Sequence, residues 1–137
     1  MNRIQPVLAC LALLGAAGCS SGSKKVVVKG QIVLDGANLA VAENEAVLMS
    51  LIPPNSQPRL TPYSGSVNRD GTFVVAGPLD GSGVLPGKYK VSLQTLLTDR
   101  ERSTDRFGGR YVADKTTLDI EVVPGMGPVT LALTTGK

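Results

Sequence analysis

The chain has 137 residues, with 14 Lys and Arg against 11 Asp and Glu, so its charge is close to balanced and does not predict a nucleic-acid surface. It contains no histidine, which excludes Ser-His-Asp and Cys-His catalysis and removes the commonest zinc and copper ligand. With two cysteines and 42% hydrophobic residues, it is one domain's worth of chain that can build a core without disulfides.

The first segment of the chain has the pattern of an export signal. It begins with a basic residue, Arg3, continues with an apolar run from Val7 to Leu14, and then carries small residues up to Cys19. The apolar run is too short for a permanent membrane span, so we predict a secretory signal. Small residues directly before a cysteine resemble the lipobox of bacterial lipoproteins, although Ala16 stands where lipoboxes usually carry leucine.

This resemblance implies that residues 1–18 are removed and that Cys19 is lipidated, which places the exported protein on the cell envelope. Ser20 stands where an inner-membrane retention signal has aspartate, so we expect the outer membrane. The alternative is an ordinary secretory peptide, cut after Ala17 or Gly18, that leaves Cys19 unmodified. Cys10 leaves with the signal either way, so no disulfide can form within the mature monomer.

Residues 19–25 are predicted to form a flexible tether, because the Ser and Gly residues offer nothing apolar to fold on. Acyl chains contribute about 0.8 kcal/mol per buried methylene, so two or more would anchor the protein stably. Lys24 and Lys25 are interpreted as solvated, with contact to anionic head groups as the alternative. Arg3 leaves with the signal, so 13 basic residues remain against 11 acidic ones, a net charge of +2.

From residue 26 onward the apolar residues recur with a period of two, which predicts strands. The residues expected to face the core are Val26, Val28, Ile32, Leu34, Val47, Met49, Leu51, Phe73, Val75, Tyr89, Val91, Leu93, Leu118, Ile120, Val122, Val129, Leu131 and Leu133. Residues 47–52 are apolar on both faces, so we expect a central strand that is covered on two sides.

Turn residues separate these strands. Asp35-Gly36 predicts one turn, and residues 68–71 predict another with a two-residue Asp70-Gly71 connection. Gly30 predicts a bulge or a close neighbour. About seven short strands with Gly and Pro turns and no helical period predict an all-β fold, a β-sandwich over residues 26–137.

Three motifs resemble the carboxypeptidase regulatory-like domains, and residues 110–133, RYVADKTTLDIEVVPGMGPVTLAL, resemble the C-terminal half of small lipoproteins of planctomycete-type bacteria. The three motifs are VKGQIVLDGANL with Gly30, Ile32 or Val33, Gly36 and Leu39; NRDGTFVVAG with Asp70, Gly71 and Phe73; and LPGKYKVSL with Pro86, Gly87, Tyr89, Val91 and Leu93. The resemblance implies a transthyretin-like (prealbumin-like) Greek-key β-sandwich that accompanies enzymes without being one. The hydrolases that share the transthyretin-like fold need histidines and a C-terminal Tyr-Arg-Gly-Ser motif, whereas this chain ends in Thr-Thr-Gly-Lys.

The charged loop over residues 99–111 is the candidate ligand site. Its candidate residues are Arg100, Arg102, Arg106, Phe107, Arg110 and Tyr111. Arginine forks suit carboxylates and phosphates, and the two aromatic rings could stack on a sugar. The interspersed acids favour the other interpretation, a solvated loop whose charges pair internally. In that interpretation the rings pin the loop to the sandwich, since Tyr111 matches a tyrosine that recurs in the family that the motifs resemble.

Other acidic residues carry weaker hypotheses. Asp70 is interpreted as a turn residue, since a calcium site would need further oxygen ligands and Asp80 is the one obvious candidate. The pairs Glu43 and Glu45, and Asp119 and Glu121, are expected on the solvent side of strands, where they make a poor acid–base dyad.

The sequence therefore predicts a non-catalytic, lipid-anchored envelope module that contacts envelope proteins or the cell wall and needs no metal or cofactor. The alternative is a carbohydrate-binding or anion-binding domain that uses the 99–111 loop. Edge strands are natural sites for adding a partner's strand.

Overall fold

The computed structural model describes residues 24–54, 61–77, 81–98 and 105–136. This part of the chain forms eight strands and no helix, which confirms the all-β prediction. The strands are β1 (Val28–Leu34), β2 (Ala37–Asn38), β3 (Glu45–Ile52), β4 (Tyr63–Val67), β5 (Thr72–Val75), β6 (Gly87–Leu97), β7 (Asp119–Val122) and β8 (Val129–Leu133).

The strands form one curled sheet, two edges of which pair with no other strand in the described part of the chain. Its order is β2-β1-β5-β4-β3-β6-β7, and all of these neighbours are antiparallel. The last strand, β8, pairs with β1 in parallel, with Ile32 opposite Leu131. The edges are therefore β7 and β8, and the curled sheet is consistent with a β-sandwich.

The core lies on one face of this sheet, because alternate residues of each long strand point the same way. In β6, Tyr89, Val91 and Leu93 are buried, as predicted, and the alternation continues to Thr95. The expectation that β3 is covered on both faces is wrong: Leu48 is 49% exposed on the outer face. An apolar residue on a strand can thus lie at the surface, since not every outward position has a partner layer.

Two glycine-containing turns follow from backbone geometry. Asp35 and Gly36 both have positive φ (50° and 86°), which is the two-residue turn that suits the twist of a hairpin. The connection near Asp70 is one residue longer than predicted. Asn68 N–H donates to Thr72 O (2.8 Å) across a three-residue loop that ends at Gly71, with φ of 80°.

Gly30 in β1 has the close neighbours that the sequence predicted. A Cβ at this position would overlap the Val129 carbonyl oxygen and lie 2.6 Å from Phe73 Cζ. The missing side chain therefore allows the buried Phe73 ring to fill the core beneath β1 while β8 pairs alongside.

The sheet has two distinct ends. The chain enters the fold at Val26, which bridges to Val84, and the start of β6 and the end of β7 lie at this entry end. The opposite, far end carries the Asp35-Gly36 turn, the turn before β5, the start of β3 and the residues after β8.

Candidate functional site

The structure describes part of the sequence-predicted site. Cys19, the signal over residues 1–18, Arg100 and Arg102 lie outside the described residues, as does Asp80. Arg106, Phe107, Arg110 and Tyr111 are described, and all four belong to a segment that runs beside β6.

Residues 105–118, which we call the closing segment, cover the edge of β6 beyond the short β7. Val91 N–H donates to Leu118 O (2.9 Å), and Leu93 N–H donates to Tyr111 O (2.8 Å). The Thr116 hydroxyl donates to Val91 O at 2.6 Å. Irregular chain thus supplies the edge bonds that a strand would otherwise make, so this part of the predicted loop is a structural element.

Asp105 organises the start of the closing segment. Its carboxylate accepts hydrogen bonds from the amides of Thr95 (3.0 Å), Phe107 (3.1 Å) and Gly109 (2.8 Å), and from the Thr95 hydroxyl (3.2 Å). Burial alone would raise the pKa of Asp105, but these bonds outweigh it and hold the pKa below its usual value of 3.8. The carboxylate is therefore a fixed anion that stabilises the segment.

Phe107 and Tyr111 are buried, with 2% and 5% of their surface exposed. Their rings meet edge to face, 5.8 Å between centroids. The Tyr111 hydroxyl donates to Thr134 O (3.0 Å) and accepts from Thr134 N–H (2.8 Å). Neither ring offers a face to a sugar, because both are packed in the core, as the second interpretation predicted.

Arg106 is held by groups from elsewhere in the fold. Its guanidinium forms an ion pair with Glu45 through both carboxylate oxygens and donates to Ala40 O at 2.9 and 3.0 Å. The expectation that Glu45 lies on the solvent side is wrong, since only 5% of its side chain is exposed. Arg106 is internally paired, as the second interpretation predicted, but its partner is on β3 and not in its own loop.

Arg110 differs from Arg106. It is exposed and donates one hydrogen bond, from Nη1 to the Thr134 hydroxyl at 3.1 Å. Of the candidate arginines that the structure describes, it is the one whose charge remains accessible to a ligand.

Asp70 is a turn residue, as predicted. Its carboxylate accepts from the Thr72 amide (3.0 Å) and hydroxyl (2.6 Å), which lower its pKa. The described residues contain no group of three or more Cys, Asp or Glu side chains placed to hold a metal ion. Asp119 and Glu121 are exposed, as expected.

A groove that the sequence did not predict lies near the entry end. It encloses about 760 Å³ and is lined by residues that include Ile52, Pro53, Lys88, Lys90, Asp119 and Glu121. Tyr89 also lines the groove, and burial together with the neighbouring Tyr63 raises the pKa of its phenol to about 12. That hydroxyl stays protonated at neutral pH and donates to Leu85 O (2.8 Å), so it holds the strand start and does not act as a base.

No protein-family model matches the chain, and a comparison with curated proteins found no relative. No helix in the described ranges is long and apolar enough to cross a bilayer. Within those ranges, every buried polar side-chain atom has a hydrogen-bond partner.

Proposed function

We propose that this chain is a non-catalytic, lipid-anchored module of the cell envelope that contacts an envelope protein or the cell wall. The observation that carries the proposal is the open edge of β8, which offers unpaired backbone groups for strand addition. Most of the polar groups that the structure describes in the candidate loop are engaged in hydrogen bonds that stabilise the fold. They are therefore not free to carry out a reaction, which supports binding at the β8 edge as the function.

The open edge of β8 follows from its parallel pairing with β1. Leu133 O accepts from Asp35 N–H (3.0 Å), so alternate residues direct their peptide groups toward β1. Thr130 and Ala132 direct theirs away from it, and among the described residues nothing pairs with them. At Thr134 the Tyr111 hydroxyl occupies both backbone groups, so the edge has a defined end.

The finer fold in this proposal is a transthyretin-like Greek-key sandwich. Its support is that the three sequence motifs occupy structurally demanding positions. Gly30 lies against Phe73, Gly71 closes the turn before β5, and Tyr89 is part of the core. Such a sandwich would hold the β8 edge in a fixed position for a partner's strand.

The anchor in this proposal is the acylated Cys19. The first paired residue is Val26, so six residues separate it from the lipid. Six extended residues span at most about 20 Å, which keeps the domain close to the membrane. Intact-mass measurement of the protein purified from membranes tests this step. A mass with acyl chains on Cys19 supports it, and an unmodified N-terminus at Gly18 or Cys19 contradicts it.

Photo-crosslinking in cells tests the edge. A photoreactive amino acid at Thr130 is compared with the same amino acid at Ser64, which is exposed on β4 inside the sheet. We expect a discrete partner from Thr130, none from Ser64, and loss of the product when Cys19→Ala prevents acylation. Equal labelling from both positions, or none despite correct membrane localisation, would contradict strand addition.

The alternative function, binding of an acidic glycan or another anion, retains Arg110 among the described residues. Titration with acidic glycans separates it from the main proposal. Affinity that falls in Arg110→Ala, with the fold unchanged, would favour the binder. Arg106→Ala and Tyr111→Ala are unsuitable probes, because both side chains hold the closing segment in place.

A further inference from the structure

The two ends of the sheet carry opposite charge. Five exposed lysines lie at or next to the entry end, against two carboxylates: Lys24, Lys25, Lys29, Lys88 and Lys90, against Asp119 and Glu121. The far end carries five carboxylates against three arginines: Asp35, Glu43, Glu45, Asp70 and Asp105, against Arg69, Arg106 and Arg110. Asp114 and Lys115 on the flank cancel each other. Among the described residues, the entry end therefore has a surplus of three positive charges and the far end a surplus of two negative ones.

The charges at the two ends also differ in how they are used. At the far end, Arg69 pairs with Glu43 at 3.1 Å and Arg106 pairs with Glu45. At the entry end, Lys88 and Lys90 lie opposite Glu121 and Asp119 in the β6–β7 register, without an ion pair within 4 Å. Lys25 donates to the Ser82 hydroxyl (3.0 Å), which fixes its position and leaves its charge uncompensated.

Exposed apolar residues are concentrated at the same end. The described chain exposes three large hydrophobic side chains, and two of them, Val27 (39%) and Val123 (43%), lie at the entry end. Val123 begins the connection between β7 and β8, which also carries the exposed Pro124 and Pro128. Lysines and exposed apolar side chains at the same end are the composition that suits the interface of an anionic bilayer.

We infer that the entry end rests on an anionic phospholipid surface and that the far end points away from it. The inference depends on the proposed lipid anchor at Cys19, which would hold Lys24 and Lys25 within about 20 Å of the bilayer. The electrostatic potential of the membrane surface decays over roughly 8 Å at physiological salt, so a short tether is needed for that surface to attract the lysines. Because the anchor makes this contact intramolecular, a weak attraction is enough to orient the domain.

The test places one fluorescent label at either end of the acylated protein. Gly127→Cys labels the entry end, where a Cβ meets nothing within 4 Å, and Ala37→Cys labels the far end. The proteins are reconstituted into two kinds of vesicle, one of phosphatidylcholine alone and one that also contains about one third phosphatidylglycerol, whose surface charge attracts basic segments. A lipid with a nitroxide on its headgroup then quenches the fluorescence of labels that lie at the membrane surface. We expect several-fold stronger quenching at Gly127 than at Ala37 in the anionic vesicles and a much smaller difference in the neutral ones.

Charge variants at the entry end and away from it serve as matched controls. Lys24→Gln with Lys25→Gln should abolish the difference between the labels. Arg69→Gln with Lys115→Gln removes the same charge away from the entry end and should preserve the difference. Equal quenching of both labels while the protein floats with the vesicles would overturn the orientation and leave the anchor standing. The same difference in neutral vesicles would overturn the role of lipid charge. Failure to float would instead overturn the anchor.

Discussion

The hydroxyl of Tyr111 acts as a substitute for one residue of a neighbouring strand. It donates to the carbonyl and accepts from the amide of Thr134, just beyond β8. We expect Tyr111→Phe to lower the free energy of unfolding by about 1–2 kcal/mol, since two hydrogen bonds are lost while the ring still fills its site. Urea unfolding monitored by circular dichroism measures this.

Tyr89→Phe is the matched control for that variant. The Tyr89 hydroxyl donates one hydrogen bond, to Leu85 O (2.8 Å), from an equally buried ring. Its removal should cost less than removal of the Tyr111 hydroxyl. A Tyr111→Phe protein as stable as wild type would contradict the role given to this hydroxyl at the end of the β8 edge.

Asp105 makes stability depend on acid pH. Its pKa is lowered in the folded protein, so the ionised carboxylate contributes stability above the unfolded value of 3.8. That contribution is lost as the pH falls through the lower, folded pKa. Hydrogen bonds from Thr135 and Thr72 also lower the pKa values of Asp35 and Asp70, respectively.

We therefore expect the unfolding free energy to be level between about pH 5 and 7 and to fall below about pH 4. Asp105→Asn should reduce this acid dependence, because the side chain no longer ionises. It should also lower the unfolding free energy at pH 7 by about 1–3 kcal/mol, because the side-chain amide of Asn turns an N–H group toward a backbone N–H where the carboxylate had an acceptor oxygen. Urea unfolding across this pH range measures both effects. An unchanged acid dependence in the variant would show that Asp105 does not contribute to it.

At the residue scale, local chemistry is predictable and distant partners are not. Phe107 and Tyr111 were expected to pin the loop, and both are buried. The burial of Glu45 could not be foreseen, because its partner Arg106 is 61 residues away in the sequence. Only the pairing of β3 with β6 brings the two side chains together.

Among the elements, β1 depends most on a single position. Gly30→Ala would place a methyl group against the Val129 carbonyl and the Phe73 ring, so β8 or the core must move. We expect a loss of about 1–3 kcal/mol in unfolding free energy, the usual range for overpacking. Gly127→Ala, at a position with open space, should change stability by less than about 0.5 kcal/mol in the same urea titration. Equal effects would contradict the close contact at Gly30.

The closing segment is joined to β3 through Arg106. Arg106→Ala leaves the Glu45 carboxylate, which is 5% exposed, without its cation, and we expect a loss of about 2–4 kcal/mol. Arg110→Ala removes one exposed hydrogen bond and should cost less than about 0.5 kcal/mol. Thermal unfolding of the two proteins side by side measures the difference, and equal melting temperatures would contradict it.

At the element scale, alternation was sufficient for strands and insufficient for the closing segment. The inward residues of β5, β6 and β7 were predicted from a period of two and are buried. Residues 105–118 have no such period, yet they make the edge bonds of a strand to Val91 and Leu93. These bonds join backbone groups, which carry no sequence signal, so only the folded chain reveals them.

At the scale of the whole molecule, the two open edges differ in charge. Val91 N–H donates to Leu118 O, so Asp119 and Glu121 direct their peptide groups to the outer edge of β7. Antiparallel pairing of this edge with a second copy would place these carboxylates opposite each other, which is unfavourable. The edge of β8 carries no charge between Val129 and Leu133.

We predict that Asp119→Thr with Glu121→Thr strengthens self-association roughly tenfold, since two like-charge contacts are removed. Sedimentation equilibrium of the mature protein in density-matched detergent measures the change. The double variant Glu43→Thr with Asp114→Thr removes the same charge away from the edge and should leave association unchanged. If both variants associate equally, net charge and not the β7 edge controls association.

The sequence by itself determined the all-β class, the inward faces of the strands, the turns at Asp35-Gly36 and near Asp70, and the close contact at Gly30. These features depend on a period of two and on the backbone freedom of single residues, both of which are local. The tertiary structure decided the rest: the parallel pairing of β8 with β1, the pairing of Arg106 with Glu45, the locking of Thr134 by Tyr111, and the opposite charge of the two ends. Each of these joins residues that are far apart in the chain, and distance in the chain does not specify distance in the fold.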